Sequence, residues 1–354
     1  MLLFAIATTA PCGLIALAVL AGGGWAWAAL GYMTLLTLVM DRLTGLTARA
    51  ANADPQAEFP AATALLLGLG LGHFALMALA VRGAAGLAVP AAPAGLDPGA
   101  RIALLVAAGL VFGQISHPVA HELIHRPRRE LRLIGRLVYS SLLIGHHASA
   151  HLLVHHVHVG TDADPASAPR GMGFWRFAAR AWRGGFLAGL AAENRRRAAS
   201  GRALRRHPYA LYLAAGALTL LAGAAIGGRM GVAALVVMAA HAQLQILMSD
   251  YVQHYGLRRR RRADGRLEPV GPGHSWNAPH RFSAAMMLNA PRHSDHHVTP
   301  SRPFPALQLD ARAMPCLPRP LPVMAALALL PPLWFRVMDR RCARWPAGRE
   351  SGWP

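Results

Sequence analysis

Apolar positions in this chain come in long unbroken stretches, not in the three-and-four spacing of an amphipathic helix. Six stretches, residues 2–21, 24–40, 62–80, 102–120, 209–228 and 231–248, have the roughly 17–25 residues with which a helix crosses a bilayer. Buried helices of a soluble protein would show a polar stripe at helical period. These are apolar nearly all round, apart from Gln114, Ser116 and His117 near the end of the fourth. The pattern predicts an all-α, polytopic membrane protein with six transmembrane helices in a single domain over residues 1–354. Gly22 and Gly23 join the first pair, and Arg229 and Met230 the last, as tight hairpins. Residues 137–145 are apolar but too few to cross. Residues 321–338, broken by Pro331 and Pro332, read as an interfacial segment.

Composition agrees and adds direction. Only 15% of residues are charged, against about a quarter in soluble domains. Mean hydropathy is +0.31, yet the net charge is +20. A chain both apolar and basic must segregate the two, and it does. No lysine occurs, and the arginines crowd between the fourth and fifth stretches (Arg126 to Arg206) and into residues 258–262. The opposite loops carry little beyond Arg82, Arg101 and Arg229. By the positive-inside rule, both termini and the segments at about 121–207 and 250–354 lie on the cytoplasmic face of a bacterial inner membrane. The first stretch has no basic leader and is followed at once by a second, which argues against a cleaved signal. Cys12, Cys316 and Cys342 are far apart, so neither a disulfide framework nor an iron–sulfur module is expected. The arginine block has no aromatic interleaving, and no nucleic-acid partner is implied; contact with membrane lipid is.

The chemistry lies in the histidines. His121 and His125 stand in HELIHR; His151, His155 and His156 in HLLVHHVHVG; His254 in QHYG; and His293, His296 and His297 in RHSDHH. Spacings of four put His121 with His125, and His151 with His155, on shared helix faces, leaving His156 turned towards a second centre. Nine imidazoles exceed what one metal accepts, so two centres follow, and all four clusters fall at or beyond the cytoplasmic ends of the spans. HExxH alone reads as a zinc protease with Glu122 as base, but such a site needs only one further ligand. An oxygen-activating pair of irons suits the ligand set better, and copper stays open on ligand type. Glu122 and Asp295, beside ligands, are expected to orient imidazoles, with His274 and His280 as further supports near the last cluster.

HELIHR, H-x3-HH followed by Asp164-Pro165-Ala166-Ser167, QHYG, His274-Ser275-Trp276-Asn277 and RHSDHH together resemble the integral-membrane di-iron alkane hydroxylases. These stand within the wider histidine-motif superfamily of membrane desaturases and hydroxylases. The resemblance implies two non-haem Fe ions held by His121, His125, His151, His155, His156, His254, His293, His296 and His297. It implies terminal hydroxylation of an alkane-type lipophilic substrate by O2, with electrons from a separate rubredoxin (or ferredoxin) and its reductase. No catalytic residue beyond the metal ligands is implied. The chain departs from the family's pattern at Gln253, where an acidic residue is usual. Hydroxylation of an aromatic or terpene methyl group, or desaturation of an acyl chain, is the alternative within the superfamily. Small residues Gly68, Gly70 and Gly72 in the third span suggest a channel by which a lipid-borne substrate enters.

Overall fold

The computed structural model describes residues 1–46, 59–90, 93–201 and 207–345. Arg202, Arg205 and Arg206 of the basic stretch lie outside them. Among the described residues there is no strand, only isolated bridges, and the fold is all-helical as the sequence predicts. Four helices are long and apolar enough to cross a membrane: Leu2–Leu20, Pro60–Ala84, Pro98–Ile124 and Pro208–His254.

Three of the six expected spans take a different form. The second is helical but segmented: α2 (Gly24–Gly31) runs through a π-helical turn (Tyr32–Leu36) into α3 (Thr37–Thr44). Polar Thr34, Thr37 and Asp41 dilute its apolar character. The fifth and sixth fall in one element, α11 (Pro208–His254), whose 47 residues would run about 70 Å if straight. They do not run straight. Gly227 (φ −141°) and Gly228 (φ 56°, ψ −141°) leave helical geometry, and Gly228 adopts a region that essentially only glycine enters. Beyond the break the chain folds back, so that a Cβ on Gly231 would lie 2.1 Å from the Gly223 carbonyl oxygen.

The helices begin where the sequence supplies caps. Asp97 accepts a hydrogen bond from Ala100 N at 3.0 Å, and Pro98 fills the first turn of α5 (Pro98–Val111). His207 and Pro208 do the same for α11. A second π-helical turn (Phe112–Ser116) carries α5 into α6 (His117–Ile124). α4 (Pro60–Ala84) and α1 (Leu2–Leu20) pack beside α5 around a core that includes Ile15, Val81, Leu104, Phe112, Met238 and Ile246. Close approach of α5 and α11 is bought by glycine: a Cβ on Gly109 would strike His241, and one on Gly113 would strike Gln245.

A second core cluster closes one end of the bundle, where Tyr251, Tyr255, Trp276, Trp334 and Met338 meet. It joins the end of α11 to α10 (Phe174–Ala199), α14 (Leu321–Ala328) and α15 (Pro331–Arg344). The segment at 321–338 is thus two short helices that brace this end. Gly231→Ala is expected to destabilise the fold by about 1–3 kcal/mol through overpacking against Gly223. Gly13→Ala, whose added methyl meets nothing within 4 Å, should not. Thermal unfolding of detergent-solubilised protein compares the two, and equal midpoints would refute the fold-back contact.

Candidate metal centre

At that end the helix termini aim imidazoles inward from four segments. His121 and His125 lie one turn apart on α6 and its cap. His147–Ala150 (α8) continues through a π-helical turn (His151–His155) into His156–His158 (α9). In a π turn each amide reaches five residues back, so residues five apart stack over one another. His156 therefore shares a face with His151, and His155 turns to the other side. This reverses the pairing that a regular α-helical spacing suggests. Helix α13 (His293–Val298) likewise sends the neighbours His296 and His297 to different groups.

The nine histidines form two groups. In the first, His151 Nε2 lies 2.8 Å from His121 Nε2, 2.9 Å from His156 Nε2 and 3.1 Å from His125 Nε2. His296 Nε2 joins at 3.1 Å from His156 Nε2. In the second, His293 Nε2 lies 3.0 Å from His254 Nε2 and 3.1 Å from His297 Nε2, which is 3.2 Å from His155 Nε2. The neighbours 155/156 and 296/297 place the groups side by side.

These separations suit a shared ion. Nitrogens about 2.1 Å from one metal at right angles stand about 3 Å apart. Protons cannot substitute, because His151 Nε2 faces three other ring nitrogens and one N–H can serve only one of them. Burial and mutual repulsion hold His151, His156, His293, His296 and His297 well below the usual imidazole pKa. They are neutral at pH 7, with lone pairs free. The all-nitrogen donor set fits a borderline transition metal and not a hard cation such as Mg2+ or Ca2+.

The outer ring nitrogens are supported unevenly. His155 Nδ1 donates to Asp164 Oδ2 at 2.8 Å. Burial lowers the His155 pKa, but the Asp164 charge outweighs it and the net shift is upward. Asp164 is itself set by Ser167 Oγ at 2.7 Å and Ala166 N at 3.0 Å, a tight turn that folds the Asp-Pro-Ala-Ser motif back onto the helix. Sequence reasoning noted that motif without giving Asp164 this contact. His254 Nδ1 has Ser275 Oγ at 3.5 Å. Nδ1 of His156, His293, His296 and His297 is buried without a protein partner.

Of the four residues expected to support imidazoles, Glu122, Asp295 and His274 bind elsewhere, and His280 Nδ1 is buried without a partner. Glu122 accepts from Arg126 at 2.9 Å and from Phe304 N at 3.3 Å. Asp295 pairs with Arg302 and accepts from Gln308 N at 2.8 Å. Both carboxylates are drawn to arginine and loop amides that can neutralise or saturate them, and they tie the 302–308 loop over the site. His274 bonds Glu268 at 2.9 Å, and His280 precedes α12 (Arg281–Met286), whose first amides are capped by Asp41. Gln253 also points away from His254, with Ser249 Oγ donating to its Oε1 and its Nε2 donating to the Ala290 carbonyl. Asn277 locks the start of α13 by accepting from Ser294 N and donating to Ser294 Oγ.

Two apolar cavities enter the bundle. One, of about 440 Å3, is lined by Gly68 and Gly72 of α4 with Thr9 and Cys12 of α1. His73, held at 2.9 Å by both Ser116 and Ser141, stands at its inner end. Gly70 is not part of it: a Cβ there would meet Ile134 and Leu123. The other, of about 230 Å3, runs between α5, α11 and α14 and touches His117, Pro118, Met287 and Ala290. It comes close to the histidines at His117, whose ring stands 6.1 Å from that of His121.

The sequence model of the fatty acid desaturase family matches residues 99–327. An alkane 1-monooxygenase 2 of Pseudomonas aeruginosa is 33% identical over 248 residues, covering 70% of this chain and 66% of that protein. An alkane 1-monooxygenase of Pseudomonas putida is 32% identical over 257 residues, 71% of this chain and 62% of that one. The chain thus spans just under two thirds of the length of these relatives. The xylene/toluene monooxygenase hydroxylase component XylM of Pseudomonas putida is 27% identical over 99% of this chain and 95% of its own. Asp164→Asn is expected to weaken metal binding at the four-nitrogen group by about 10–100-fold, because it removes the contact that fixes the His155 tautomer. Competition with a chelator measures it, and unchanged affinity would mean that His155 is oriented by other means.

Proposed function

The chain belongs to the fatty acid desaturase family, and on that premise we propose that it is a membrane non-haem di-iron monooxygenase hydroxylating the terminal carbon of an alkane or alkyl chain. The observation that carries this reading is the pair of adjacent nitrogen groups, five and four, with an apolar cavity ending beside them. His121, His125, His151, His156 and His296 hold one iron; His155, His254, His293 and His297 hold the other. When bound, the iron pair supplies O2 activation and transfer of one oxygen atom to a C–H bond.

The protein's own work is placement and exclusion. Asp164 keeps the His155 N–H on its outer nitrogen, so that Nε2 stays free for metal. Glu122 and Asp295, each tied to an arginine, anchor the loop that shuts water out over the site. The cavity between α5, α11 and α14 is lined mostly by apolar side chains and approaches the histidines at His117, which suits an alkyl chain. A zinc protease is disfavoured because Glu122, the base it would need, is engaged with Arg126 and Phe304.

Six crossings fit the folded-back α11 together with the segmented helix 24–44. The arginine distribution supports a bacterial inner membrane with the histidine groups on the cytoplasmic side. Electrons come from a separate acidic carrier, a rubredoxin (or ferredoxin) with its reductase. A surface groove of about 470 Å3 lined by His158, Arg258, Arg259 and Arg261 offers the dock, two residues beyond His156. The match to XylM, lower in identity but along nearly the whole chain, supports less strongly a second reading, an aromatic methyl group as substrate.

Cells expressing the chain with a rubredoxin and its reductase, fed alkanes and xylenes, should yield primary alkanols, and purified protein should hold about two irons and no zinc. Benzylic alcohols alone would transfer the assignment to the second reading; one zinc and no oxygenated product would refute both. Raising salt from low to physiological strength should slow reduction by rubredoxin about tenfold, and Arg261→Glu should act in the same direction. Salt-independent reduction would exclude the basic groove as the dock.

A further inference from the structure

The cavity between α5, α11 and α14 is not uniformly apolar, and its polar groups are arranged with care. Gln245 Nε2 donates to the Gly109 carbonyl at 2.9 Å, which fixes which end of that amide is oxygen. Gln245 Oε1 therefore accepts from Gln114 Nε2 at 2.8 Å, which fixes the second amide in turn. One group is left over: Gln114 Oε1, a buried acceptor without a partner. His241 lines the same cavity as Gln114, and no hydrogen bond to it is formed among the described residues. Its ring sits where a Cβ on Gly109 would be, 2.2 Å from Nδ1, so the glycine makes room for the imidazole. Helix adhesion accounts for the Gln114–Gln245–Gly109 chain, but not for an unbonded imidazole and an orphaned oxygen inside a membrane span.

We infer that this cavity takes an alkyl substrate already carrying a hydroxyl group at the end remote from the oxidised carbon, with His241 and Gln114 binding that hydroxyl. The inference rests on the proposed hydroxylase reading and names its substrate class. A hydroxyl can donate to Gln114 Oε1 and still bond a neutral imidazole through its lone pair. A plain alkane leaves both groups unpaired. A carboxylate brings a charge into hydrocarbon, and no charged residue lines the cavity to meet it. Gln114 lies seven residues before His121, on the order of 10 Å along the helix, and His241 thirteen before His254, on the order of 20 Å. The hydroxyl is thus held at the far end, with the chain passing Met248 and His117 towards the histidines. In the reaction, a C–H bond of the remote methyl breaks and a C–O bond forms with one atom of O2. The other atom leaves as water, with two protons and two electrons from the separate carrier. The product is an α,ω-diol.

The test sets n-dodecane, dodecanol and dodecanoic acid against one another in the reconstituted enzyme, alongside their equilibrium binding to purified protein. Wild type should favour dodecanol over dodecane by about tenfold or more in kcat/KM and in affinity. His241→Leu and Gln114→Leu, both apolar changes suited to a membrane span, should bring the ratio near one, and His241→Gln should restore part of it. A wild-type ratio at or below one, a ratio unchanged in His241→Leu, or preference for the acid overturns the inference. Selective dodecanol binding without diol formation would sink the proposed reaction and leave the hydroxyl site standing; loss of both would remove both.

Discussion

Everything at the closed end of this molecule answers one electrostatic problem: nine imidazoles, most of them held neutral by burial, gather their ring nitrogens at hydrogen-bond distance from one another. Such crowding suits bound cations, and only a rigid frame can hold it. The frame is built from helix ends, because a helix terminus fixes the direction of a side chain while leaving its neighbours free to turn. His125 at the cap of α6, His254 at the last residue of α11 and the histidines of α13 all occupy such positions.

The supports are polar braces between segments distant in the chain. Asp164 holds His155, Asn277 holds Ser294 beside His293, and Trp276 N and its indole N–H bond the carbonyls of Gln253 and Tyr255. Each motif that looked like a mere signature in the sequence is thereby a strut for the next. The apolar cluster of Tyr251, Tyr255 and Trp334 covers these bonds from below and keeps them dry, which raises the cost of breaking any one of them.

Within the spans the logic is the opposite. There is no water to expel, so the helices are joined by close contact at glycines and by a few polar side chains. That economy makes the exceptions informative. His73 is fully paired by two serines and reads as adhesion, whereas His241 is paired by nothing among the described residues and faces a cavity.

The sequence by itself determined the all-helical membrane class and the nine histidines, more than one group can hold, because hydrophobic run length and imidazole count need no folding to be read. The tertiary structure decided which histidine joins which group. Sequence spacing assumes 3.6 residues per turn, and the π turn at His151–His155 breaks that period, pairing His151 with His156 and releasing His155. It also decided that Glu122 and Asp295 bind arginines, since a carboxylate buried near a guidinium pairs with the full charge before it orients a neutral ring. Gly70 was indistinguishable from Gly72 as text. Helix rotation turns one against Ile134 and leaves the other on a cavity wall, and rotation is fixed by packing partners far away in the chain.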